Sequence, residues 1–224
     1  MSSIEPLLNW ITSKLQTITL AFDDPRIKPA VCLGLVERLT SRVNVVYVDF
    51  DLQLSSQLQN LDLIHYDRIN CGGRLMVLQP NDEILDFVES ISFQNMQQGG
   101  LLVLDSLNTL QSLLTDDTSS RGSKIANQKT ALLVTVLQKL SRFYSKSLII
   151  VNVTKSRPSD RNMLTSTFWE KTLVGGRMIK FKSDAILSVS QNQSHEVELK
   201  FQNTGHGMSS NLYEERYLLN VDSL

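Results

Sequence analysis

Chemistry in this chain of 224 residues would have to come from strands that end in carboxylates, a lysine at a helix start, and one basic stretch. The clearest of these is Gly99-Gly100-Leu101-Leu102-Val103-Leu104-Asp105-Ser106. Four consecutive aliphatics behind a glycine pair are too few for a helix and read as a strand buried on both faces. Asp105 then sits at the carboxyl edge of a parallel sheet, where α/β proteins bind ligands. A carboxylate there faces a magnesium-bound nucleotide, or it simply caps the next turn. A second strand, Val43-Asn44-Val45-Val46-Tyr47-Val48-Asp49-Phe50-Asp51, also ends in carboxylates.

Lys28 stands between a first strand and a first helix, where phosphate-binding loops carry the pattern GxxxxGK[ST]. Aligning Lys28 with the lysine of that pattern puts Phe22 and Ile27 where glycines belong and Pro29 where the hydroxyl belongs. Glycines let a backbone approach phosphates with its amides turned inward. Proline offers neither an amide proton nor a hydroxyl for magnesium. Asp23 and Asp24 would also repel a triphosphate. The loop reads as a phosphate site that is absent or lost.

Charge is unevenly placed. Between Lys155 and Lys182 lie the basic residues Lys155, Arg157, Arg161, Lys171, Arg177, Lys180 and Lys182, against Asp160 and Glu170. That net +5 sits in a chain of formal charge −1, so the remainder sums to −6. A localised basic stretch in an acidic protein is an electrostatic footprint for a polyanion. Phe168 and Trp169 lie inside it, and aromatics stack bases. The competing reading makes Lys180 and Lys182 the wet face of a strand and Trp169 a core residue.

The elements that would position these groups follow from periodicity. Ile4, Leu7, Leu8, Ile11 and Leu15 recur at helical spacing, with Pro6 in the first turn. Thr17–Phe22 reads as the first strand, and Val31, Leu35, Val36 and Leu39 mark the helix after Lys28. Leu75–Leu78 is another strand, and Asp82 and Glu83 open a helix carrying Ile84, Leu85, Phe87, Val88 and Ile91. Thr115–Ser123 is polar and turn-rich, an exposed loop leading to a long helix marked by Leu132, Leu133, Val136, Leu137, Leu140 and Phe143. Ser147–Val153 is a strand, and the segment from Thr154 to about Val174 reads as irregular, ending at Gly175-Gly176. Ala185–Val189, Glu196–Phe201 and Tyr217–Val221 alternate and read as antiparallel strands at one end of the sheet.

Composition bounds the class. Hydrophobic content of 42% and charged content of 20% suit a globular core, and no aliphatic run reaches the roughly 20 residues of a membrane helix. The first residues do not read as a secretory signal. Cys32 and Cys71 lack metal-type spacing and read as reduced thiols of a cytoplasmic protein. His65, His195 and His206 lack it too, and Ser106 has no nearby base to make it a nucleophile. Neither a metal nor a cofactor is expected.

The order of these segments resembles the ATPase core of the RecA/RadA recombinase and KaiC superfamily, over roughly residues 17 to 221. The resemblance rests on Tyr47-Val48-Asp49-Phe50-Asp51, Leu101-Leu102-Val103-Leu104-Asp105-Ser106 and Ile149-Ile150-Val151-Asn152-Val153. Gly175-Gly176 followed by Ser183-Asp184-Ala185-Ile186-Leu187-Ser188-Val189 adds to it. It implies an α/β fold: a RecA-like core with a mainly parallel twisted sheet flanked by helices, and antiparallel C-terminal strands. Residues 1–224 would form a single RecA-like domain, with 1–16 an N-terminal helix and 17–224 the core.

By the same resemblance, Asp51 falls where the superfamily keeps its catalytic glutamate and Asp105 where it keeps the magnesium-linked aspartate. Asn152 matches the polar residue that senses the nucleotide and passes its state to the following DNA-contacting loop. With the Walker A motif lost, Lys28, Asp51, Asp105 and Asn152 become degenerate nucleotide-site positions with no catalytic role. The chain also lacks the Phe-x-x-Ala motif that links RadA-type subunits. The resemblance thus implies a non-catalytic paralogue that binds DNA, single-stranded in preference, as an accessory factor in homologous recombination and DNA repair. Lys155, Arg157, Arg161, Trp169, Lys171, Arg177, Lys180 and Lys182 would form that interface, with a RadA-type recombinase or RecA-fold paralogue as protein partner, or a second copy of the chain. The alternative is a structural subunit of a RecA-fold ring or heterocomplex, like the accessory subunits of Elongator, without ATP hydrolysis.

Overall fold

Strands that are apolar at every position must be covered on both faces, and that requirement sets the architecture. The structure is a computed structural model that describes residues 4–13, 15–60, 75–78, 100–115, 120–158, 169–192, 196–202 and 216–219. Its first elements are α1 (Glu5–Ser13), β1 (Thr17–Phe22), α2 (Lys28–Thr40), β2 (Asn44–Asp49), α3 (Gln53–Asn60), β3 (Leu75–Leu78) and β4 (Gly100–Asp105). There follow α4 (Leu107–Leu113), α5 (Ser120–Phe143), β5 (Lys146–Val153), β6 (Lys155–Pro158) and β7 (Trp169–Thr172). The last are α6 (Gly176–Lys182), β8 (Ala185–Gln191), β9 (Val197–Gln202) and β10 (Arg216–Leu219).

The protein is α/β. One sheet runs in the order β10-β9-β8-β1-β5-β4-β2-β3, and β6 and β7 pair separately. From β8 to β3 every neighbouring pair is parallel, while β9 runs against both β8 and β10. Alternate residues of the central strands feed two cores. Ile18, Leu20, Phe22, Val45, Tyr47, Leu101, Val103, Ile149 and Val151 pack with α1, α2 and α3. Val46, Val48, Leu102, Leu104, Leu148 and Ile150 pack with Leu107 and Leu110 of α4, Leu133, Val134 and Leu137 of α5, and Ile179 of α6. Every residue of β1 is consequently buried. Trp10 of α1 meets Phe201 of β9 edge to face at 5.2 Å, which ties the first helix to the antiparallel end of the sheet.

Several expectations are corrected. The first helix ends at Ser13, and Leu15 is 52% exposed instead of continuing its apolar face. Ser120–Ser123 belong to α5 and not to a loop, because the helix runs 24 residues and begins before its apolar periodicity does. The segment after β5 is not wholly irregular: both its ends pair as an antiparallel ladder, with Lys155 opposite Thr172 and Arg157 opposite Glu170. Lys180 and Lys182 lie in α6, so they are not the wet face of a strand. β8 joins β1 in parallel, so it closes the parallel sheet as well as opening the antiparallel extension. The helix expected from Asp82 lies outside the described residues. Among those residues no helix is long and apolar enough to cross a membrane.

Gly100 opens β4 for a steric reason. Its φ is +155°, and a Cβ built there would lie 2.1 Å from the carbonyl oxygen of Asn44, its register partner in β2. The backbones of β2 and β4 can approach only without a side chain at this position. Gly100→Ala should cost about 1–3 kcal/mol in urea unfolding, the range for forced overpacking. A change under about 0.5 kcal/mol, the size of an ordinary surface substitution, would contradict this register.

Candidate functional site: a buried lysine held by two carboxylates

Three elements converge at the carboxyl edge of the sheet. α2 begins with Lys28, the turn after β2 carries Asp51, and β4 ends in Asp105. Lys28 is 1% exposed, and its Nζ donates to Asp105 Oδ1 at 2.6 Å and to Asp51 Oδ2 at 2.7 Å. The Tyr47 hydroxyl donates to the other oxygen of Asp105, and Ser106 Oγ donates to Asp51 Oδ1 at 3.0 Å. Both carboxylates are therefore engaged at both oxygens. The structure brings Lys28, Asp51 and Asp105 together, and the ammonium is spent on its own chain.

The local sequence accounts for this arrangement. Phe22 and Ile27, which stand where a phosphate-binding loop has glycines, pack into the core beneath α2. Pro29 occupies the first turn of α2, and Ile27 offers no side-chain cap. A cation at a helix N-terminus opposes the helix dipole, so Lys28 depends on the two carboxylates. Asp24 is paired with Arg26 at 2.6 Å, and Asp23 Oδ1 accepts from Thr154 Oγ1 at 3.3 Å, so both loop aspartates are engaged. Asp49 turns to α3, where its Oδ2 accepts from the amide and the hydroxyl of Ser55 at 2.7 and 2.8 Å.

Protonation follows from burial and pairing. Burial alone would pull the Lys28 pKa down, but the charge of Asp105 and hydrogen bonds from both carboxylates outweigh it and raise it. Burial pushes the Asp105 carboxyl up, only partly offset by Lys28 and Tyr47. For Asp51, burial is outweighed by hydrogen bonds led by that from Lys28, and its pKa is lowered. Burial also raises Cys32 and Tyr47, so neither supplies a thiolate or phenolate here.

Asn152 is engaged elsewhere. Its Nδ2 donates to the Val174 carbonyl at 2.8 Å, and its Oδ1 accepts from the Val174 amide at 3.3 Å. Asn108 repeats the device on Val153, donating to its carbonyl at 3.0 Å and accepting from its amide at 2.8 Å. These two amides fix the start and the end of the segment that leaves β5. Sequence reasoning missed Asn108, Tyr47 and the role of Ser106. Tyr47 was legible from period-two alternation with Val45 on β2, whereas nothing in the spacing pointed to Asn108. Ser106, read as having no base nearby, in fact bonds Asp51, and it also caps α4 through the amide of Thr109.

The basic residues separate into groups. Lys155 lines a cleft of about 550 Å³ with Gln111, Ser112, Ser123 and Asn127. Arg177 and Lys180 are exposed and line a second cleft of about 440 Å³ that shares Thr172, Leu173 and Gly176 with the first. Lys182 is half-buried, with its carbonyl accepting from Gln138 at 2.9 Å. Arg157, Trp169 and Lys171 are placed in the backbone of the β6–β7 ladder. Arg161, Phe168, Cys71 and the three histidines lie outside the described residues. Among the described residues no cluster of His, Cys, Asp and Glu could hold a metal ion. Compared with known families and curated proteins, the chain matches no family model and no curated relative.

A buried charge stripped of its partner typically costs 3–5 kcal/mol. Lys28→Ala should lose about that much at neutral pH in chemical denaturation, because Asp51 and Asp105 are left facing each other. Adding Asp51→Asn and Asp105→Asn to Lys28→Met should recover most of it, since amides still accept from Ser106 and Tyr47. A Lys28→Ala protein as stable as the parent would refute the assignment. In acid, Asp51 contributes stability above its ordinary value of 3.8 that is lost as pH falls through its lower folded value. Asp105 acts oppositely, since its raised folded pKa makes the ionised form a cost above that value. Asp51→Asn should accordingly flatten the acid limb of a stability–pH profile, and Asp105→Asn should not.

Proposed function

We propose that this chain is a RecA-like protein whose nucleotide site is closed by its own side chains. It binds single-stranded DNA in the cytoplasm as a non-hydrolysing accessory factor in recombination and repair. The observation that carries this reading is the Lys28 ammonium, bonded to Asp105 and Asp51 at 2.6 and 2.7 Å. A lysine that contacts a nucleotide must present its charge to phosphate, and the two aspartates that would serve magnesium and water are here neutralising that lysine. The sheet supports the RecA-like part of the reading. It sets the Asn152 strand between β1 and the Asp105 strand, and it ends in antiparallel strands. Lys155, Arg177 and Lys180, exposed around the segment after Asn152, support the polyanion part.

Two measurements test this. A labelled oligothymidylate should bind at low salt and weaken steeply between about 50 and 200 mM, because each neutralised phosphate releases counterions. Replacing Arg157, Arg161, Lys171 and Arg177 by alanine should abolish that binding with native circular dichroism, since exposed charges add little stability. Absence of binding at low salt sinks the reading. Magnesium-ATP should leave the melting temperature unmoved, and a shift that vanishes in Lys28→Ala would establish a working nucleotide site instead.

A second reading has its own observation. Ile125, Leu132, Val136 and Phe143 are 41%, 67%, 38% and 79% exposed along α5. Their intervals of seven, four and seven residues place them on one stripe of the helix. Such a stripe suits a structural subunit of a RecA-fold ring or heterocomplex without nucleic-acid contact. Light scattering separates the two. A concentration-dependent oligomer that ignores DNA, and that Leu132→Ser with Phe143→Ser dissolves to monomer, favours the ring subunit. A monomer that binds DNA favours the first reading.

A further inference from the structure

The cleft beside α6 is lined by Ala21 and Asp23 at the end of β1, Thr154 just past β5, Ser188 and Ser190 of β8, and Lys200 of β9. From β1 the chain passes to α2 in one core, and from β5 it reaches α6, in the other core, only after the β6–β7 ladder. Open α/β sheets bind ligands outside the carboxyl ends of their strands, and two of the strands lining this cleft end there. The cleft is about 440 Å³, within the usual range of small-ligand sites. Three cations, Arg177, Lys180 and Lys200, line it against one carboxylate, Asp23, whose Oδ1 already accepts from Thr154. Thr154, Thr172, Ser188 and Ser190 add hydroxyls. Lys200 comes from β9, opposite Ser188 in the register, and was no part of the basic stretch read from the sequence.

Phe181 belongs beside these groups. It follows Arg177 by four residues on α6, hence on the same helical face, and it is 73% exposed. Ile179 of the same helix is fully buried, so α6 is anchored to the core without Phe181. An exposed aromatic ring beside a cationic cleft is the pairing with which proteins hold single-stranded nucleic acid, one taking the base and the other the phosphate.

The geometry points to this cleft as a docking site for one unpaired nucleotide. Arg177, Lys180 and Lys200 take its phosphate, and Phe181 stacks its base. The inference rests on the nucleic-acid reading above and deepens it by naming the contact. It also assigns the stacking ring to α6 and not to Trp169. Lys200 is held at 2.7 Å by Glu198, so the site carries its own competing carboxylate.

Oligothymidylate, an abasic oligodeoxynucleotide and a duplex of equal length are titrated against the full chain and its variants across salt concentrations. Phe181→Ala should weaken oligothymidylate binding by about 5-fold or more, the range for loss of one stacked base, and leave the abasic strand and the duplex unchanged. Lys200→Ala should weaken both single strands and make the salt slope shallower by about 0.7, the loss of one phosphate contact. Glu198→Gln should tighten binding, an outcome that damage to the fold cannot imitate. If the parent binds oligothymidylate and both Phe181→Ala and Lys200→Ala bind equally well, the site is refuted while the nucleic-acid reading stands. Equal weakening of the abasic strand by Phe181→Ala also refutes the stacking. If the parent binds no oligothymidylate at low salt, the broader reading falls and this inference falls with it.

Discussion

A lysine ammonium with 1% exposure is the constraint on which the carboxyl edge of this sheet depends. Removing such a charge from water costs several kcal/mol, which only close opposite charges and satisfied hydrogen bonds offset. Lys28 meets that demand by drawing the start of α2, the turn after β2 and the end of β4 to one point. Tyr47 and Ser106 then complete the acceptors that Lys28 leaves open. The arrangement fixes how α2 seats on the sheet, and with it the core that Phe22, Val31 and Leu35 build beneath. A network of this kind resists partial occupation, because displacing any one member exposes the others to an unpaired buried charge.

Much of this could be read from residue types, for identifiable reasons. Strands buried on both faces announce themselves as unbroken aliphatic runs, so Leu101–Leu104 and Leu148–Val151 were plain. The meeting of Lys28, Asp51 and Asp105 was legible because each ends or begins an element at the same edge of a parallel sheet. That the lysine turns inward was not legible, since the lost glycines show only that a phosphate is poorly served. Boundaries failed where periodicity is silent. The first turn of α5 is Ser120-Arg121-Gly122-Ser123, which carries loop composition but is held by the helix that follows. Lys200 escaped notice because it sits on an alternating strand among acidic neighbours, and only the β8–β9 register brings it to the cleft.

The segment after β5 is pinned at both of its ends by side-chain amides. Asn152 and Asn108 each close both hydrogen bonds of one backbone residue, Val174 and Val153, at the two ends of the excursion. Amide side chains suit this because each carries one acceptor and two donors matched to a peptide group. Gly175, with φ of +79°, then turns the chain into α6 through a conformation that other residues rarely adopt. The two clefts flank this fixed root, so their cations are carried on a scaffold set by the sheet.

The central strand β1 takes both of its neighbours, β5 and β8, from the second half of the chain. Pairings between such distant segments must meet the cost of closing a long loop before they return anything, and folds that rest on them form slowly. Synthesis runs from the first residue onward, so β1 leaves the ribosome well before either strand that will flank it. All six of its residues are buried in the finished sheet, and until β5 and β8 arrive they have to be kept from other pairings. The order of strands in the sheet therefore makes the chain's assembly wait on its later half.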